Sequence, residues 1–193
     1  MRKILSKIWI KFLTILAAVR ISKYPPFIYY DYNTFTITGN NIDAIKELLQ
    51  PGDLILRGFD DFIGSILIGR YSHIGLVIDS DLIIHAIEPV VTYCHLYDFC
   101  KCDRIIILRP KLESNKHLTD ILITAHSLIG TKYDFNFDFE NSTSFSCTEF
   151  IAYCFKDYIN IQKETIKILG LFKKEVIKPE TFIKHTEYFE KVY

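Results

Sequence analysis

Short apolar runs closed by turn-forming residues fill the middle of the chain. "DLILRGF" (53–59) follows Pro51-Gly52 and reads as a strand. "HIGLVID" (73–79) and "LIIHAI" (82–87) flank an Asp-Ser-Asp turn, the signature of a hairpin, and "VVTYCHL" (90–96) and "RIIILRP" (104–110) continue the series. After Pro110 the spacing of apolar positions becomes helical. A helix is expected over "SNKHLTDILITAHSLIG", with Ser114 as N-cap and Gly130 beyond its end. A second, "CTEFIAYCFKDY" (147–158), repeats apolar residues at 150, 151, 154 and 155 and should be buried. Asn41 or Asp43 is placed to cap a short helix, "AIKELLQ", and Pro179 suits the first turn of another. "DDFIGSILIGRY" reads as a helical turn loosened by Gly64 and Gly69, and 131–146 as a loop. Antiparallel strands followed by helices predict an α+β domain.

The first 23 residues follow a different pattern. Lys3, Lys7 and Lys11 recur every four residues, so a helix over 1–23 would gather them on one face opposite Ile4, Leu5, Ile8, Trp9, Phe12, Ile15, Leu16 and Val19. A basic stripe opposite an apolar one is the pattern of a helix lying in a membrane interface. The uncharged run 12–19 is too short to span a bilayer. A signal peptide and a helix docked on its own domain or on a second copy share parts of the pattern, and all three readings stand. "KYPPFIYYDYN" then reads as a linker, since Pro25 and Pro26 stop an incoming helix. The expected organisation is a helix over 1–23, a linker over 24–40 and one domain over 41–193.

Composition narrows the function. With 193 residues, 49% of them hydrophobic, the chain can bury a core without disulfide or metal staples. Equal numbers of basic and acidic side chains, 23 of each, argue against a nucleic-acid binder. Five cysteines, an odd number, point to mostly free thiols and so to a reducing compartment, while the N-terminal segment points to membrane association. Cys94, His95, Cys100 and Cys102 lack the Cys-x-x-Cys spacing of a zinc site. Asp134 and Asp138 alternate with aromatics rather than forming a calcium loop. Neither a metal nor a cofactor is expected.

The candidate chemistry lies in three residues. His73 and His85 stand on the two strands of the expected hairpin, whose turn near 79–82 lets both rings reach one face. Cys147 opens the buried helix. A thiol there meets the positive end of the helix dipole, which should lower its pKa toward the nucleophilic thiolate. A thiolate, an imidazole base and a group orienting that base form the cysteine version of a nucleophile–base–orienter triad, with the Cys147 N–H as an oxyanion donor. Taken singly, a cysteine or histidine in such a place is more often a packed core residue.

"PGDLILRG", "YSHIGLVID", "LIIHAIEPVV" and "GTKYDFNFDFENSTSFSCTEFIAYCF" resemble the successive blocks of the YiiX-like permuted papain-like amidases. These belong to the NlpC-type superfamily, with the lecithin retinol acyltransferase-like enzymes as more distant relatives. The resemblance runs from about 51 to 158 and implies a circularly permuted papain-like fold, an antiparallel sheet against helices, with Cys147 as nucleophile and His73 as base. His85 stands where YiiX-like members typically carry Glu. The acyltransferase-like relatives use a second histidine at a similar spacing, which keeps the orienting role open to it; Glu88 ranks second. Tyr133 and Asp134 are candidates for shaping a groove beside Cys147. The implied activity is cleavage of an amide or ester, in a peptide or lipid-linked substrate, through a thioester acyl-enzyme. Alternatives are acyl transfer on lipids and a non-catalytic binding module of the same fold. A membrane surface is a further expected partner of the N-terminal segment.

Overall fold

The computed structural model describes residues 19–23, 26–30, 35–60, 69–134, 143–168 and 172–193. In chain order the elements are β1 (Val19–Lys23), β2 (Pro26–Tyr30), α1 (Gly39–Leu48), β3 (Leu54–Gly58), β4 (His73–Val77), β5 (Leu82–Ile87), β6 (Val90–His95), α2 (Leu96–Phe99), β7 (Arg104–Pro110) and α3 (Asn115–Ser127). There follow β8 (Lys132–Tyr133), β9 (Ser144–Phe145), α4 (Cys147–Phe155), β10 (Glu164–Ile168), β11 (Phe172–Val176), α5 (Pro179–Lys184) and β12 (Phe189–Lys191). Eight strands form one sheet in the order β12-β7-β3-β4-β5-β6-β8-β9, and β1-β2 and β10-β11 are separate ribbons. Every pair in the large sheet is antiparallel except β8 with β9.

The sheet is buried on both faces, which explains why its strands read as nearly continuous apolar runs. Side chains alternate across it. Leu54, Leu56, Ile74, Leu76, Ile84 and Ala86 form one core with Phe150, Ile151 and Phe155 of α4. On the opposite face Ile55, Val77, Ile83, Ile105 and Ile107 pack with Ile42 and Ile45 of α1 and with Leu96 and Phe99 of α2. A part-buried ion pair ties β7 and the approach to β3 to the end of α1. Arg109 donates from Nε (2.9 Å) and Nη2 (2.8 Å) to the Asp53 carboxylate, and Nη2 also donates to the Leu48 carbonyl.

Several expectations change. Residues 19–23, assigned by pattern to the end of a helix, pair as a strand with 26–30, which lie in the expected linker, in the register Val19↔Tyr30 to Lys23↔Pro26. The β-branched Val19 and Ile21 and the "FIYY" run favour strand over helix, and Pro26 stands at the first position of β2. The rest of the basic amphipathic segment, 1–18, lies outside the described residues, as does most of "DDFIGSILIGRY". Helix α1 begins earlier than expected, because the cap is Thr38, not Asn41 or Asp43. Asn41 instead accepts a hydrogen bond from the Thr38 N–H at 2.9 Å, the returning half of a capping box. Ser114 caps α3 and Pro179 opens α5 as the pattern predicts. Among the described residues no helix is long and apolar enough to cross a membrane.

Candidate active site

Antiparallel pairing of β4 with β5 is confined to Leu76↔Ile84 and Val77↔Ile83. Toward His73 the two strands part, while β4 stays paired with β3 as far as Arg57↔His73 and β5 with β6 as far as Ile87↔Val90. The central sheet therefore has a split. Were the β4–β5 register to continue, Ile74 would stand opposite Ala86; instead its backbone N–H serves the Cys147 thiol.

Cys147 is brought there by α4. Ser146 caps the helix, and Glu149 accepts from the Ser146 N–H at 2.7 Å, so the capping box "SCTE" fixes where the helix starts. Phe150, Ile151, Cys154 and Phe155 bury the helix against the sheet, and only 7% of Cys147 remains exposed. Tyr133, on β8, lies close enough to feel the charges of Cys147 and Glu149. Asp134 is buried, with its N–H donating to the Phe145 carbonyl at 3.1 Å. Phe135, Phe137 and Phe139, the aromatics that alternate with Asp134 and Asp138, lie outside the described residues.

His73 and His85 share the opposite sheet face, as the hairpin pattern predicts. Nε2 of His73 lies 2.8 Å from Nδ1 of His85, with the rings edge to face at 73°. Both are buried, at 8% and 4% exposure. Gly75 makes room for the contact, since a Cβ there would come within 2.6 Å of Ile83 Cγ2, 3.1 Å of the Phe99 ring and 3.4 Å of the His85 Cβ. Cys147 thus reaches the split from the other sheet face, against the residue that follows His73. No hydrogen bond joins the Cys147 sulfur to either ring. Glu88 is exposed in the two-residue turn between β5 and β6, outside the ring pair.

The electrostatics reverse one expectation. Burial pushes the Cys147 thiol up to about 11; the N–H groups of Ile74, Thr148 and Cys147 itself, with the Arg57 cation, pull the other way and do not overcome it. Desolvation outweighs the helix terminus. Burial, then Arg57, then His85 hold His73 well below the ordinary histidine value, while burial and Arg57 bring His85 down to about 4. At rest the thiol and both imidazoles are neutral.

Arg57 was not singled out from the sequence. It stands opposite His73 on β3, with its guanidinium carbon 4.9 Å from the Phe99 ring centre and 5.7 Å from that of Phe59. Its Nη1 donates to the Phe99 carbonyl at 3.3 Å. An arginine within an otherwise apolar strand was the available signal. The five cysteines are free. Among the described residues no three His, Cys, Asp or Glu side chains come together to hold a metal ion.

No curated protein matches this sequence. The solved structure of the metalloprotein YiiX from Escherichia coli O157:H7 superposes with a TM-score of 0.62 at 16% identity, over 76% of this chain and 97% of that one. At that identity the likeness speaks for the fold, an antiparallel-rich sheet with helices in the permuted papain-like arrangement. Residues 48–192 match the family described as permuted papain-like amidase enzyme, YaeF/YiiX, C92 family. That match spans most of the chain and every residue of the split, and the protein belongs to the permuted papain-like amidase family.

Proposed function

We propose that the protein is a cysteine hydrolase that cleaves an amide or ester through a thioester on Cys147, with His73 as base and His85 orienting it. One observation supports this most. The sheet splits so that a thiol at a helix N-terminus meets the strand of a histidine whose far nitrogen is engaged by a second histidine.

The engaged atom decides the proton route. With Nε2 of His73 facing His85, Nδ1 is the nitrogen left to take the Cys147 proton. Nδ1 must then be bare at rest, so Nε2 carries the ring hydrogen and donates it to Nδ1 of His85. A neutral His85 can accept; a protonated one cannot. Sulfur attacks the carbonyl carbon while its proton passes to Nδ1, and the imidazolium so formed is steadied by the Nε2–H bond to His85. The Cys147 N–H, at the helix start where no intrahelical acceptor serves it, is placed to receive the developing oxyanion. Collapse of the tetrahedral intermediate breaks the bond to the leaving amine or alcohol and returns the proton to it; water, deprotonated by His73, then attacks the thioester, the C–S bond breaks, and the Cys147 sulfur takes the proton back as the acid leaves. Because the thiol rests protonated, the base acts during attack rather than through a preformed ion pair.

The solved YiiX structure is of a metalloprotein; among the described residues of this chain no set of three donors comes together, and no step proposed here is routed through a metal. The substrate class we favour is a peptide or lipid-linked amide or ester. Turnover of p-nitrophenyl esters, with mass spectrometry of the acylated protein, tests the assignment. Cys147→Ala and His73→Ala should abolish acylation. His85→Leu should fold and turn over slowly, and His85→Glu should retain much of the activity, because a carboxylate can also accept from Nε2–H. Acylation on another cysteine, or full activity in His85→Leu, would refute the respective roles.

A further inference from the structure

Two imidazoles hydrogen bonded to each other can hold one proton too many. An imidazolium–imidazole pair is a good hydrogen bond, and its formation at mildly acid pH would remove the base the proposed reaction needs. The surroundings of the pair oppose that state. Phe99, fully buried, is a hub: His73 lies 5.6 Å and His85 5.8 Å from its ring centre, and the Arg57 guanidinium lies 4.9 Å from the same ring. The Phe99 carbonyl anchors Nη1 of Arg57 at 3.3 Å, while Nε is buried without a hydrogen-bond partner. Register adds to this, since Arg57 and His73 are directly opposed on β3 and β4 and so share a face.

A half-buried arginine whose Nε is itself buried and unpaired is costly, and the strongest electrostatic influences on it come from thiols rather than carboxylates. The titratable groups acting on it are the thiols of Cys94 on β6, Cys100 and Cys102 after α2, and Cys147 on α4. Those facing the rings are Arg57 from β3 and, for His73, His85 from β5. A guanidinium keeps its charge even when buried. We propose that Arg57 is a positioning residue of this site, a fixed cation clamped on Phe99 that excludes a proton from the His73–His85 pair and so keeps Nδ1 of His73 available as a base in acid. This rests on the hydrolase reading for its purpose, though not for its physics.

Histidine ring nitrogens followed by NMR between pH 4 and 8, in the full chain, test the physics without any substrate. In the wild type both rings should stay neutral down to pH 5. Arg57→Gln should raise the first protonation of the pair by about one pH unit or more, and Arg57→Lys should leave it close to wild type. Should Arg57→Gln fail to fold, Arg57→Met, which keeps the stem packed against Phe99, carries the same expectation. The acid limb of acylation by p-nitrophenyl acetate should move with the NMR titration. A purely packing role for Arg57 would lower the melting temperature and leave both pH profiles in place. Protonation of either ring near 6.5 in the wild type, or unmoved profiles in the charge-free variants, would overturn the proposal. Absence of acylation at Cys147 in the wild type would sink the hydrolase reading instead, and the NMR titration would still judge Arg57.

Discussion

Cys147 shows how a single residue can satisfy a sequence rule and escape its consequence. It occupies a helix N-terminus, yet its thiol stands near 11, because burial costs more than three N–H groups and a distant cation return. Alkylation by iodoacetamide should therefore be slow at pH 7 and rise about tenfold per pH unit toward 11, as the thiolate fraction grows. Cys100 and Cys102 are pushed up to about 12, so Cys147 should react before either. Peptide mapping at several pH values checks the order. Fast, pH-independent labelling of Cys147 below pH 8 would mean a preformed thiolate and would replace the proposed proton route with an ion-pair one. Arg57 is the residue-scale counterpart. From sequence an arginine in a strand reads as solvent-facing; only the approach of Phe99, on a four-residue helix, makes it part of the site.

Among the elements, the parting of β4 and β5 matters most, and Gly75 is its hinge point. A methyl group there would collide with Ile83 and the Phe99 ring and press on His85. Gly75→Ala should cost about 1–3 kcal/mol in denaturant unfolding and slow turnover as well, since the ring pair must shift. Unchanged stability would show that the rings are not held as tightly as the contacts imply. The elements that carry the thiol and the rings were largely legible. β5 and β7 run as their apolar patterns predict, because each ends at a turn or proline, and Ser146 with Glu149 announces the start of α4. What escaped the pattern is short or settled by partners. β8, β9 and β12 are two or three residues long and exist through their neighbours, and "ETIKI" and "FKKEV" become strands by pairing with each other. The split itself was not legible, because periodicity tells which face a residue takes and not where a ladder stops.

At the scale of the whole molecule, two properties follow from where charge is placed. The lysines at 3, 7 and 11 precede every described element, so the full chain should sediment with vesicles containing anionic lipid and a chain beginning at residue 19 should not. Equal binding by both would assign the affinity to the folded part. The second property is the response of the fold to acid. His73 and His85 are neutral when folded and titrate near 6.5 when unfolded, with His85 lowered to about 4. Between those values the unfolded chain binds protons that the folded chain refuses, so stability is highest above about 6.5 and is lost as pH falls through that value. For His85 the loss between pH 7.5 and pH 5 is about 2 kcal/mol, or ~4–8 °C in melting temperature, and His73 adds a loss of the same sign. The carboxylates whose pKa the fold lowers, Asp98, Glu164 and Glu187, are largely exposed and titrate further into acid, so they act mainly below this window. His85→Leu removes one refused proton, and its melting temperature should fall less steeply between pH 7.5 and 5 even if it starts lower. A wild-type melting temperature that is flat across that window would mean that the rings take up protons freely in the folded state, and the neutral pair on which the proposed proton route depends would not exist.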